Sequence, residues 1–187
     1  MTIIGKMNKI ISFLVFLSSI INCYAQITAE KLNDSAMTLY KQSPEKALAI
    51  LKEASNLAKS KNDTHELSIS NNYFGLVYRD LGEFEKAKSF SKEALSITKD
   101  SITMASALTN IGASNRQLGL YEEALSSYLK ALAIYESKSE KNKTATVTNN
   151  IGMVYSYLGL NDKAIEYHLK AKNEFEIVQS ETFAPIL

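Results

Sequence analysis

Two segments of the chain are nearly the same. "NIGASNRQLGLYEEALSSYLKALAIY" runs from Asn110 to Tyr135, and "NIGMVYSYLGLNDKAIEYHLKAKNEF" begins at Asn150. Aligned on the glycine of "NIG", a further copy centres on Gly75, beside Gly112 and Gly152. Each copy carries a second glycine seven residues later, at Gly82, Gly119 and Gly159. Each then carries alanines one heptad apart: Ala87 and Ala94, Ala124 and Ala131, Ala164 and Ala171. The period is 37 and then 40 residues, which lies in the range of helical solenoids. One small helix pair cannot bury its apolar face alone. Stacked copies bury it against each other, so repetition is itself the fold instruction.

Within a copy the spacing predicts two helices. Leu108, Ile111, Asn115 and Leu118 fall on one helical stripe of the first. The second glycine is expected to end that helix in the left-handed conformation, with Leu81, Leu118 or Leu158 before it pinning the turn. The second helix carries the alanine heptad on one face, where small residues let two helices approach closely. Larger residues such as Phe84, Tyr121, Tyr128, Leu132 and Phe175 surround that face. A degenerate copy comes first, with Ser43 as the expected N-cap, Pro44 in the first turn, and Ala47 and Ala54 repeating the heptad. Tyr40 matches Tyr78 there, with a shorter turn and no glycine. The connections "KNDTHE", "KDS" and "SKSEKNKT" are polar and short, leaving no room for a second domain.

Residues 28–179 resemble the tetratricopeptide repeat, and "NNIG" with "LGLYEEA" is most similar to the longer variant found in kinesin light chains and in exported bacterial proteins. The bulky residue that the family places four before the first glycine is Asn71, Leu108 or Thr148 here, and the late proline is absent. The resemblance implies an all-α, right-handed α-solenoid of antiparallel helix pairs, whose first helices line a concave groove. It implies approximate repeats at 28–62, 63–99, 100–140 and 141–179, with the longer period taken up by the second helix and the link. Residues 180–187 are expected to start a further helix, a truncated fifth.

The N-terminus reads separately. Lys6 and Lys9 precede an apolar run from Ile10 to Ile21, which is too short to span a bilayer, a task needing about 20 residues. Ala25 follows as a small residue suited to cleavage. Residues 1–25 are therefore expected to be a signal peptide, and 26–187 the solenoid, placed in the periplasm or cell envelope. Lipidation at Cys23 and an uncleaved anchor are the alternatives. Cleavage after Ala25 removes Lys6, Lys9 and Cys23, the only cysteine. What remains has 19 bases against 20 acids and no thiol for catalysis, disulfides or metal binding.

No catalytic constellation, metal cluster or cofactor fingerprint is written in the chain. His65 and His168 are the two histidines and lie far apart in sequence; His65 is expected in a solvated link, and His168 matches Ser91 and Tyr128 as a helix-face residue. Lys and Arg total 21 against 20 Asp and Glu, without the basic stripe of a nucleic-acid binder. Tyrosines at Tyr78, Tyr155, Tyr121, Tyr128 and Tyr135 recur at core spacing.

The asparagines ask for a reason, because asparagine is a weak helix former and recurs mid-helix. Asn110 and Asn150 stand two before the first glycine, Asn72 and Asn149 three before it. They share a face with Leu76, Arg79, Ala113, Arg116, Met153, Ser156 and Tyr157. In the resembled family that face lines the groove. Two roles are open: amides that pair with the backbone of a bound polypeptide, or a ladder tying neighbouring helices together. On the first, Asn72, Asn110, Asn149 and Asn150 take partner backbone, Arg79 and Arg116 take acidic groups, and Met153 and Tyr157 give apolar contact. The function implied is a non-catalytic scaffold for a protein or peptide partner. The alternative is an extracytoplasmic sensor module, part of a longer signal-transduction protein with a histidine kinase or helix-turn-helix output.

Overall fold

The structure, a computed structural model, describes residues 27–182; the signal-peptide reading, Ala25 and Cys23 lie outside them, as do 183–187. Eight helices occupy the described residues: α1 Ala29–Leu39, α2 Pro44–Ser60, α3 Thr64–Asp80, α4 Phe84–Ile97, α5 Ser101–Gln117, α6 Tyr121–Ser137, α7 Lys141–Tyr157 and α8 Asn161–Thr182. Each helix packs on the next, giving the pairs α1/α2, α3/α4, α5/α6 and α7/α8. The first helices of successive pairs also touch, α1 on α3, α3 on α5, and more loosely α5 on α7. The second helices lie farther apart and meet through long side chains, as in the Lys170–Glu136 pair at 3.2 Å between α8 and α6. An all-α solenoid results, curved so that the first helices form its inner wall.

The alanine stripe does what its spacing predicts. Ala47, Ala54, Ala87, Ala94, Ala124 and Ala131 are fully buried, and Ala164 and Ala171 nearly so. The first glycine of each copy is needed for the same close approach. A Cβ on Gly112 would stand 2.9 Å from the Tyr128 ring, and one on Gly152 would stand 2.9 Å from the His168 ring. At Gly75 it would strike the Ser91 hydroxyl. The residue of the second helix that presses on this glycine is thus Ser91, Tyr128 or His168 in turn. The register match between these three has a steric cause.

The second glycines end α3, α5 and α7 with φ of 79° at Gly82, 77° at Gly119 and 73° at Gly159. Leu118 and Leu158 are half-buried before them, whereas Leu81 is 42% exposed. Tyr128 and Tyr135 are buried, and Tyr78 joins Phe74 and Phe90 in an aromatic stack with Phe74–Phe90 centroids 4.7 Å apart.

Some sequence expectations change. Ser43 accepts at its backbone carbonyl but makes no side-chain cap bond. The side-chain caps come from Thr28, Asp63 and Asp100, whose oxygens accept from the amides of Lys31, Glu66 and Thr103. The longer period does not go into the links. Those at 61–63, 98–100 and 138–140 are three residues each, because "THE" and "KNKT" are already first-turn helix. His65 accordingly stands in the first turn of α3, exposed, rather than in a link. At the far end α8 runs on unbroken to Thr182, through the position where a further helix was expected to start.

Two links between pairs turn without glycine, through Asn62 at φ 54° and Ser139 at φ 56°. Asparagine tolerates this conformation; serine carries a strain of about 1–2 kcal/mol. Ser139→Gly is expected to raise stability by up to about 1 kcal/mol, after glycine's larger unfolded-state entropy is subtracted. Thermal melts check this. The alanine stripe predicts that Ala131→Leu, in the fully buried crossing, costs about 1–3 kcal/mol by overpacking. Ala133→Leu, exposed two residues away, is expected to cost little. Comparing the two melting shifts tests the stripe.

Candidate functional site

The inner wall is made by α3, α5 and α7, and the residues singled out from the sequence all lie on them. The wall divides into two parts. In the first, polar side chains are spent on each other. Asn110 Nδ2 donates to Asn72 Oδ1 at 3.0 Å and to the Asn72 carbonyl at 3.3 Å. Asn72 Nδ2 donates to Ser106 Oγ at 2.9 Å. Arg79 donates from Nη1 to Asn110 Oδ1 at 2.7 Å. Both asparagines are buried, Asn72 at 5% and Asn110 at 3% exposure. Their amides form the interhelical ladder, the second of the two roles open at the sequence level. In this arrangement their side chains are buried and bonded to neighbouring helices.

Arg79 is held as firmly. Its Nε and Nη2 donate to Asp80 Oδ1 at 3.1 and 2.8 Å, and Lys41 Nζ donates to Asp80 Oδ2 at 2.7 Å. Burial alone would raise the Asp80 carboxyl, but the hydrogen bonds from Lys41 and Arg79 outweigh it and hold the group below the usual carboxylate range. Arg79 thus bridges α3 to α5 with its charge already answered by Asp80.

The ladder has an earlier rung that the sequence reasoning missed. Asn33 on α1 is almost fully buried, donates to Glu66 Oε2 at 3.0 Å, and accepts from Ser70 Oγ at 2.8 Å. When Tyr40 is set on Tyr78, Asn33 falls on Asn71, one place from the ladder residue Asn72, so the register did not mark it.

The second part lies between α5 and α7, where the first helices touch least. No rung crosses here among the described residues. Asn149 turns to its own pair, with Oδ1 2.9 Å from His168 Nδ1 and Nδ2 3.9 Å from Met153 Sδ. Asn150 is half-buried and makes no side-chain hydrogen bond among the described residues. It shares a stripe with the half-buried Met153 and with Tyr157, which is 55% exposed. The Tyr157 ring stacks on Tyr121 with centroids 5.2 Å apart and lies under the Arg116 guanidinium at 5.9 Å. Arg116 has no carboxylate partner among the described residues, and its Nε is buried without a hydrogen bond. The Tyr128 hydroxyl is buried without one as well. Burial pushes that phenol up, and the nearby Arg116 guanidinium opposes the shift. A cation, a stacked aromatic pair and a free amide therefore sit together on one stretch of wall.

Among the described residues no group of three His, Cys, Asp or Glu side chains could hold a metal ion, and no helix is long and apolar enough to cross a membrane.

The family description "Tetratricopeptide repeat" matches residues 103–173 and, through a second profile, 74–101, between them just over half of the chain. No curated protein matches the chain. Among solved structures, BtubC from P. vanneervenii superposes with a TM-score of 0.69 at 19% identity, over 85% of this chain and 66% of its own. Aspartyl phosphate phosphatase F from Bacillus subtilis gives 0.72 at 24%, over 81% and 41%. A Rap protein complexed with Competence and Sporulation Factor gives 0.70 at 23%, over 79% and 43%. The chain thus spans less than two thirds of the length of these structures, and at such identities the likeness is one of fold.

The two parts of the wall predict opposite effects of one substitution. Asn110→Ala leaves Asn72 and Arg79 without their partner and is expected to cost about 1–3 kcal/mol. Asn150→Ala removes an unbonded amide from a helix and is expected to leave stability unchanged, or to raise it by up to about 0.7 kcal/mol. Chemical denaturation of the two variants separates them by sign.

Proposed function

Because the chain belongs to the tetratricopeptide-repeat family, we propose that it is an exported, non-catalytic scaffold that holds a protein or peptide segment against its inner wall between α5 and α7. The observation that carries this is the Arg116–Tyr157 pair. The guanidinium has its Nε buried without a hydrogen bond, a donor left unsatisfied at a cost, and it stands over an exposed aromatic ring. It suits a partner that supplies an acidic group and an apolar face.

Asn150 adds a donor and an acceptor for the backbone of such a segment, and Met153 adds apolar contact. Asn72, Asn110 and Arg79 take a different part. They hold α3 and α5 in fixed relation, so that the wall is preorganised before a partner arrives. Asn149, engaged with His168, does the same within the last pair. The apolar run Ile10–Ile21 with Ala25 supports export into the periplasm or cell envelope. The Rap protein complexed with Competence and Sporulation Factor is a solenoid of similar fold that holds a separate factor, which agrees with this use of the wall.

A photocrosslinking residue at Tyr157 tests the proposal, with the same residue at the exposed Ala133 as control. In cells that make the full chain, a discrete adduct is expected from position 157 and not from 133. Arg116→Ala is expected to abolish it while leaving the melting temperature unchanged. Equal adducts from both positions, or an adduct indifferent to Arg116→Ala, would remove the proposed site.

A further inference from the structure

One face of α8 is apolar and uncovered by the described residues. Ile165 is 58% exposed and Leu169 is 55% exposed. One repeat earlier the residue in register with Ile165 is Leu125, which packs into the central cluster. Two residues flank the apolar pair on the same stripe, Asp162 toward the start of the helix and Lys172 toward its end, both exposed. The spacing of Asp162, Ile165, Leu169 and Lys172 is three, four and three, the heptad seam along which one helix packs on another. Lys172 has an exposed intrahelical partner in Glu176 at 3.7 Å, while Asp162 has no ion-pair partner among the described residues.

We propose that this face binds the same face of a second copy of the chain, with the two α8 helices antiparallel about a twofold axis. The charges select that register. Antiparallel pairing that sets Ile165 against Leu169 of the second copy also sets Asp162 against its Lys172, and the symmetry repeats both pairs. Parallel pairing sets Asp162 against Asp162 and Lys172 against Lys172, which repel. Sliding the antiparallel pair by one heptad sets Ile165 against Glu176, or Asp162 against Ile165, burying a charge on an apolar residue. One register satisfies all four layers. The contact is small, so the association is weak and concentration-dependent. It lies on α8, shares no residue with the Arg116–Tyr157 stretch, and does not depend on that stretch binding anything.

Sedimentation velocity on the full chain, over a wide concentration range, reads the outcome. The mass is expected to rise from monomer to dimer. Leu169→Glu is expected to abolish the dimer with an unchanged helical spectrum. Asp162→Lys and Lys172→Asp are each expected to weaken self-association at least tenfold. Mixing those two variants is expected to restore it, because one chain then carries only bases at the two positions and the other only acids. A monomer at every concentration would overturn the proposal; this is the outcome if a segment of the same chain covers the face. A dimer unaffected by Leu169→Glu, or no recovery on mixing, would overturn it equally.

Discussion

The rest of the architecture hangs from the contact between the two helices of a pair. In α3/α4, α5/α6 and α7/α8, alanine every seventh residue on one helix and glycine on the other remove the side chains that would hold the axes apart; α1/α2 has the alanines without the glycine. The gap that remains in these three pairs is filled by Ser91, Tyr128 or His168, pressed onto the glycine backbone. The size of that residue differs between pairs while the backbone arrangement persists. Pairs of this kind stack by burying aliphatic and aromatic surface, as Tyr128, Leu132 and Tyr135 do against Val147, Ile151 and Val154. Nearest-neighbour burial of this sort makes stability additive along the stack.

The polar chemistry of the inner wall is a consequence of that stacking. Where first helices lie close, as α3 and α5 do, their facing positions are buried and any polar side chain there needs a partner. Asn72, Ser106, Asn110 and Arg79 answer one another across the gap. Where α5 and α7 spread apart, the same positions are not desolvated to the same degree, and Asn150 and Tyr157 keep exposed surface. One sequence pattern thus yields a rigid ladder in one place and an open surface in the next, with helix spacing deciding which.

Much of this was legible in the chain itself. The alanine heptads and both sets of glycines are steric requirements at fixed spacing, so the residue type reports the geometry directly. The end of each first helix could be read from Gly82, Gly119 and Gly159 for that reason. The partner of an amide could not. Asn110 reaches Asn72 across 38 positions, and which amide meets which depends on the axial offset of two helices that no local pattern encodes. The same limit applies to Asn33, whose partner Glu66 lies 33 residues on. Ser43 shows a smaller failure of the same type. A serine before Pro44 has the right chemistry for a cap, but its φ of −148° and ψ of 73° leave the hydroxyl unused for one.

The central claim is that the wall residues Asn72 and Asn110 act as one coupled unit holding α3 to α5. A double-mutant cycle measures this directly, with Asn72→Ala, Asn110→Ala and the combined variant unfolded in denaturant. Coupling through a shared buried hydrogen bond predicts an interaction energy of about 0.5–3 kcal/mol, the double variant losing less than the sum of the singles. Additive losses, with an interaction energy near zero, would contradict the ladder and with it the division of the wall.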